Sequence, residues 1–104
     1  MNILQGLFGQ KEEADFKELM KQGAVIVDVR SKAEFEDGHI QSAINVPLDT
    51  LAANLKKLGD KDSVVITCCA SGGRSSMAKN ILVALGYTDV HNGGGWHSLQ
   101  AKLK

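Results

Sequence analysis

Residues 63–90 read SVVITCCASGGRSSMAKNILVALGYTDV, and the order of residue types in this stretch decides the fold. Residues 63–68 (SVVITC) form the most β-prone segment of the chain, too short and too rich in Val and Ile for a helix. Residues 75–85 place Met77, Ile81, Leu82 and Leu85 at helical spacing, and Gly86 supplies the residue on which helices close. Between strand and helix lie Cys69, Ala70, Ser71, Gly72, Gly73 and Arg74. A strand that passes through a short glycine-containing loop into a helix is the building unit of a parallel α/β sheet.

The flanking sequence repeats the pattern. Upstream, Phe16, Leu19 and Met20 predict a helix over residues 12–21, stopped by Gly23. Residues 24–29 then form a short apolar run rich in Val and Ile, the pattern of a strand buried on both faces. Ser31 and Glu34 stand at the spacing of a capping box, which predicts a short helix ending before Gly38. Residues 43–46 predict a second strand, and Pro47 suits the first position of a helix carrying Leu48, Leu51, Leu55 and Leu58. Downstream, residues 87–91 predict a fourth strand, Gly93, Gly94 and Gly95 a tight turn, and residues 96–103 a last helix. The expected architecture is α/β: a small parallel sheet of four or five strands in three layers, with helices on both faces. Residues 12–104 form its single domain, and residues 1–11 an extension that frays.

Composition narrows the function classes. Twelve Lys and Arg balance twelve Asp and Glu in 104 residues, so no net field draws the chain to nucleic acid or to an anionic membrane. Any anion site must be local. No apolar window reaches the roughly 18–20 residues of a membrane span. The apolar residues Ile3, Leu4, Leu7 and Phe8 lack the basic flank of a signal peptide. The two cysteines are adjacent, which argues against a disulfide framework and for a reducing compartment, hence a cytoplasmic protein. His91 and His97 bring too few ligands together for a metal, and neither metal nor cofactor is expected.

The loop from Cys69 to Arg74 carries the chemistry. In open parallel sheets ligands sit beyond the carboxyl ends of the strands, where this loop lies. A thiol placed there faces backbone N–H groups and the positive end of the following helix, both of which favour thiolate. Gly72 and Gly73 let the backbone curl so that several amides converge as an anion-binding nest. Arg74 adds a planar cation suited to two oxygens of an oxyanion, and Ser75 can cap the helix or bond the loop. The bland alternative is a plain strand-loop-helix connection with a buried packing cysteine.

VVITCCASGGRSSMAKNILVALGYTDV resembles the active-site strand, loop and helix of the rhodanese family, with Cys69, Gly72, Arg74, Ser75, Gly86 and Tyr87 in register. VIVDVRSKAEFEDGHIQSAINVP, residues 25–47, is similar to that family's first hallmark, and Gly94-Gly95-Trp96 to its closing glycines. Gln41 and Ser42, where the family often has Pro-Gly, and Leu99, where it often has an aromatic residue, are departures remote from the loop. The resemblance implies a rhodanese-type sulfurtransferase in which Cys69 attacks the outer sulfur of a small anionic donor such as thiosulfate. A persulfide forms, and its sulfur passes to a thiol, cyanide or a protein acceptor. Ala70, Ser71, Gly72, Gly73, Arg74 and Ser75 are the implied substrate-binding residues. Asp28 and Arg30 are implied to tie neighbouring loops together, and His39 to bond backbone across the sheet. A monomer is the expected state.

Counted from Cys68 instead, the same stretch satisfies Cys-x5-Arg-Ser, the pattern of cysteine phosphatases, some of which share the rhodanese fold. Register and strand parity favour Cys69, and no Asp or Glu lies within the loop to protonate a leaving alcohol. Cys68 is then a buried structural thiol, with a resolving thiol as the alternative. Trp96 either walls the pocket or joins the core.

Overall fold

The structure, a computed structural model, describes residues 15–104. The proposed 1–11 extension and the first residues of the expected helix lie outside the described residues. Among the described residues, four parallel strands form one sheet in the order β2-β1-β3-β4: β1 (Val25–Asp28), β2 (Ile44–Asn45), β3 (Val65–Cys69) and β4 (Val90–Gly95). Helices α1 (Phe16–Lys21), α2 (Lys32–Glu36), α3 (Gly73–Ala84) and α4 (Trp96–Lys102) complete the fold. Helix α1 starts at Phe16 because the Asp15 carboxylate caps it, accepting from the Glu18 amide at 3.1 Å. Helix α2 carries the capping box read from Ser31 and Glu34.

Two apolar clusters cover the two faces of the sheet. One joins Val27, Val65 and Cys69 to Ala78 and Leu82 of α3 and to Leu51 and Leu58. The other joins Ile26, Ile66 and Cys68 to Phe16 and Leu19 of α1 and Leu99 of α4. Each buried side chain of this size contributes roughly 1.5–3 kcal/mol through its removal from water. Alternation along β3 therefore divides the adjacent cysteines between opposite cores. Among the described residues no helix is long and apolar enough to cross a membrane.

Three expectations change. The segment after Pro47 is two 3₁₀ turns, Leu48–Ala53 and Leu55–Leu58, rather than one α-helix. Leu48 to Leu51 and Leu55 to Leu58 are steps of three within a 3₁₀ turn, and the step of four from Leu51 to Leu55 spans the non-helical Asn54. Met77 is 56% exposed, so the face of α3 that packs is set by Ser75, Ala78 and Leu82.

The third change concerns the glycine triplet, which continues β4 instead of making a turn. From Thr67 to Cys69 on β3, the partner strand runs from Asn92 to Gly95, so β4 absorbs one extra residue as a bulge. A Cβ on Gly93 would meet the Thr67 carbonyl oxygen at 2.7 Å, a Leu99 methyl at 2.8 Å and an Ile66 methyl at 3.0 Å. Close approach of β4 to β3 is therefore why glycine stands there. Gly93→Ala is expected to lower unfolding stability by about 1–3 kcal/mol, the usual cost of overpacking a filled core, in urea denaturation. Gly73→Ala, where a Cβ meets nothing within 4 Å, should be neutral or stabilising by the same measure.

Candidate active site

Strand β3 ends at Cys69 and α3 starts four residues later, so the loop has to reverse the chain within Ala70, Ser71 and Gly72. Gly72 makes this possible by adopting φ +112°, a conformation costly for any residue with a Cβ. Gly73, expected to share that conformation, is instead the first residue of α3. The turn aims two amides at one atom: Gly72 N–H donates to Cys69 Sγ at 2.9 Å, and Ser75 N–H at 3.3 Å. The sulfur also faces the N-terminal end of the twelve-residue α3, whose unpaired amides favour negative charge. Cys69 is only 1% exposed, while Ala70, Ser71 and Gly73 are exposed around it.

Cys68 stands in a different setting. Its side chain packs in the core with Ile26, Ile66 and Leu99, and burial, with the nearby Asp28 charge, pushes its thiol up to about 12. It is a neutral thiol at ordinary pH, on the face of β3 away from the loop.

A polar network that runs from the buried Thr67 to the exposed Asn92 supports Ser75. Asn92 Oδ1 can only accept, so the Ser75 hydroxyl donates to it at 2.6 Å, and Gly94 N–H donates to the same oxygen at 2.9 Å. Thr67 Oγ1 lies 2.7 Å from Ser75 Oγ and 3.0 Å from Ser75 O, and with the Ser75 proton committed it is the donor. This network ties α3 to β3 and β4 beneath the loop. Asn92 was invisible to the sequence reading, since its partner lies 17 residues away.

The first motif builds a network of its own at the end of β1. Arg30 grips the buried Asp28 carboxylate through Nε at 2.9 Å and Nη2 at 2.7 Å, and donates on to the Gly38 carbonyl at 2.7 Å and the Glu34 carbonyl at 3.3 Å. Hydrogen bonding to Asp28 raises the Arg30 pKa further, so the guanidinium stays charged. Asn45 Nδ2 donates to the Asp28 and Arg30 carbonyls, which fastens β2 to the same corner. Trp96 lies under the Arg30 guanidinium, 4.9 Å from ring centroid to Cζ. His39 Nδ1–H donates to the Phe35 carbonyl at 2.6 Å and its ring stacks on Phe35, so its contact is within its own turn rather than across the sheet. Among the described residues no three His, Cys, Asp or Glu side chains gather as a metal site.

Arg74 closes the loop, and both its terminal nitrogens are taken by Glu34 at 2.8 and 3.0 Å. Glu34 is also the helix cap that the sequence predicts: its Oε1 accepts from Ser31 N–H at 3.0 Å. One residue therefore joins the first motif to the loop after β3 across 40 positions of sequence. Arg74 and then Ser31 hold the Glu34 carboxyl down to about 2. Because this lies below the ordinary carboxylate value of about 4.3, the stabilisation is fully present above the latter and is lost as pH falls through about 2. A carbon-detected NMR titration of Glu34 should find that low midpoint. In Arg74→Gln it should move up toward the ordinary value, remaining below it because Ser31 N–H still donates.

The model of the family described as Rhodanese-like domain matches residues 12–102. The thiosulfate sulfurtransferase PspE of Escherichia coli is 39% identical over 70 residues, 66% of this chain and 67% of that one. A thiosulfate sulfurtransferase GlpE of Pseudomonas fluorescens is 36% identical over 81 residues, 78% of this chain and 73% of that one. Among solved structures, a rhodanese with anions from E. coli superposes with TM-score 0.69 at 36% identity, covering 72% of this chain and 89% of that one. The human single-domain sulfurtransferase TSTD1 superposes with TM-score 0.71 at 26% identity over 84% of this chain and 90% of that one.

Proposed function

The chain belongs to the rhodanese-like family and is a sulfurtransferase, and from that premise we propose that Cys69 is its nucleophile and carries the transferred sulfur as a persulfide. The observation that carries the proposal is the convergence of the Gly72 and Ser75 amides on Cys69 Sγ. Donors fixed before reaction stabilise charge on sulfur without reorganising at the moment of attack.

With thiosulfate, the Cys69 thiolate attacks the outer sulfur, a new S–S bond forms, and the bond to the sulfonate sulfur breaks, its electron pair leaving with sulfite. The charge of the enzyme-bound persulfide then rests on its terminal sulfur, toward which the amides of Ala70, Ser71, Gly72, Gly73, Arg74 and Ser75 form the substrate-binding cradle. An acceptor attacks that terminal sulfur, and the electron pair of the S–S bond returns to Cys69. Cyanide would leave as thiocyanate, and a thiol or protein thiolate as its own persulfide.

The burial of Cys69 supports sulfur over phosphorus. A terminal sulfur presents itself as one unshielded atom to a nucleophile that is 1% exposed, whereas a phosphoryl centre is surrounded by its oxygens. Cys68, from which the phosphatase spacing would be counted, points into the opposite core. Asp28, Arg30 and His39 hold the loops that frame the site. The two free thiols fit a reducing, cytoplasmic setting.

Steady-state assays with thiosulfate and cyanide should yield thiocyanate from the unmodified protein and from Cys68→Ala, at rates within a few-fold of each other. Cys69→Ser should fall by at least about 10³-fold, as expected on removal of a covalent nucleophile. Hydrolysis of p-nitrophenyl phosphate without thiocyanate formation would establish the phosphatase reading instead.

A further inference from the structure

Resting on the proposed persulfide mechanism, we propose that Glu34 determines donor specificity, by holding the terminal nitrogens of Arg74 and so withdrawing the loop's cation from a doubly charged donor. The loop contains no other charged residue between Cys69 and Arg74. A guanidinium left open at this position would offer a planar fork to the oxygens of a sulfonate. Here that fork is filled by a bidentate carboxylate at 2.8 and 3.0 Å, both side chains being 39% exposed and thus at the surface a donor must approach.

The neighbouring cleft points the same way. A cavity of about 310 Å³ shares Arg74 with the loop and is walled by Val29, Pro47 and Leu48, with Asp49 on its rim. Its lining holds one cation and one carboxylate, Arg74 and Asp49, and the Arg74 guanidinium is itself paired with Glu34. Apolar walls and a rim without net positive charge suit a singly charged organic persulfide, whose carbon body can lie against Val29, Pro47 and Leu48. They suit the small dianion thiosulfate less well. Sulfur transfer from such a donor is balanced without a further reactant: the Cys69 thiolate attacks the terminal sulfur, the donor's S–S bond breaks, and the parent thiolate leaves with its electron pair.

Glu34→Gln is the direct test, since Gln still accepts from Ser31 N–H as a capping-box partner and so preserves α2. Single-turnover sulfuration of Cys69 is followed by intact mass, with thiosulfate and with cysteine persulfide as alternative donors. The second-order rate constant for thiosulfate should rise roughly three- to five-fold in Glu34→Gln, the scale of one partly exposed charge interaction, and rise more at low salt. That for cysteine persulfide should change by less than about two-fold. Glu36→Gln removes a charge from the same helix, where Glu36 faces Lys32 instead, and should leave the ratio of the two rate constants unchanged. Equal changes for both donors, a slower thiosulfate reaction in Glu34→Gln, or the same shift in Glu36→Gln would each overturn the assignment while leaving sulfur transfer intact. If neither donor sulfurates unaltered Cys69, the persulfide mechanism itself fails, and that result is distinguishable because it appears before any variant is made.

Discussion

The pleat of β3 is the constraint on which the site depends. Successive residues of a strand must face opposite sides, so Cys68 and Cys69 cannot share an environment however alike they are in sequence. Cys68 goes to the core formed with α1 and α4, where burial keeps it protonated. Cys69 goes to the α3 side, where the next turn of backbone brings two amides to its sulfur. A shift of one residue in the register of β3 would exchange these roles. The core residues Val65 and Ile66, which alternate in the same way one turn of the pleat earlier, hold the register in place.

Around that sulfur the fold builds two supports of different character. Beneath it, Thr67, Ser75 and Asn92 form a neutral hydroxyl-amide chain, largely buried, which fixes the amide of Ser75. Beside it, the ion pairs Asp28–Arg30 and Glu34–Arg74, linked by Arg30 donating to the Glu34 backbone carbonyl, run from the end of β1 to the end of the loop. The buried Asp28–Arg30 pair is useful for geometry rather than for net stability, because desolvation offsets much of its Coulombic attraction. Loss of either partner would leave a charge stranded at the corner where β1, β2 and α2 meet.

Much of this was legible in the sequence because it rests on local signals. The Val and Ile runs of β1 and β3, the capping box of Ser31 and Glu34, and the strand-loop-helix order around Cys69 depend on residues close together in the chain. The less local features were harder to read. Leu48, Leu51, Leu55 and Leu58 fit an α-helical spacing and two 3₁₀ turns equally well, and Asn54 decides between them through its backbone. Gly93, Gly94 and Gly95 look like a turn until β3 is set against them, when Gly93 and Gly95 prove to lie against the Thr67 and Ala70 carbonyls and Gly94 to take φ +77°. Asn92 and the second role of Glu34 depend on contacts made only when distant segments pack, and a residue already explained as a cap gives no sign of further employment.

On the proposed mechanism the pleat of β3 leaves sulfur transfer to one of two adjacent thiols. Treating the protein with a slight excess of thiosulfate and mapping the product by peptide mass spectrometry under non-reducing conditions tests it most directly. That mechanism requires one added sulfur atom, on Cys69, retained in Cys68→Ala and absent in Cys69→Ala. Sulfur found on Cys68, or an adduct that survives in Cys69→Ala, would contradict it.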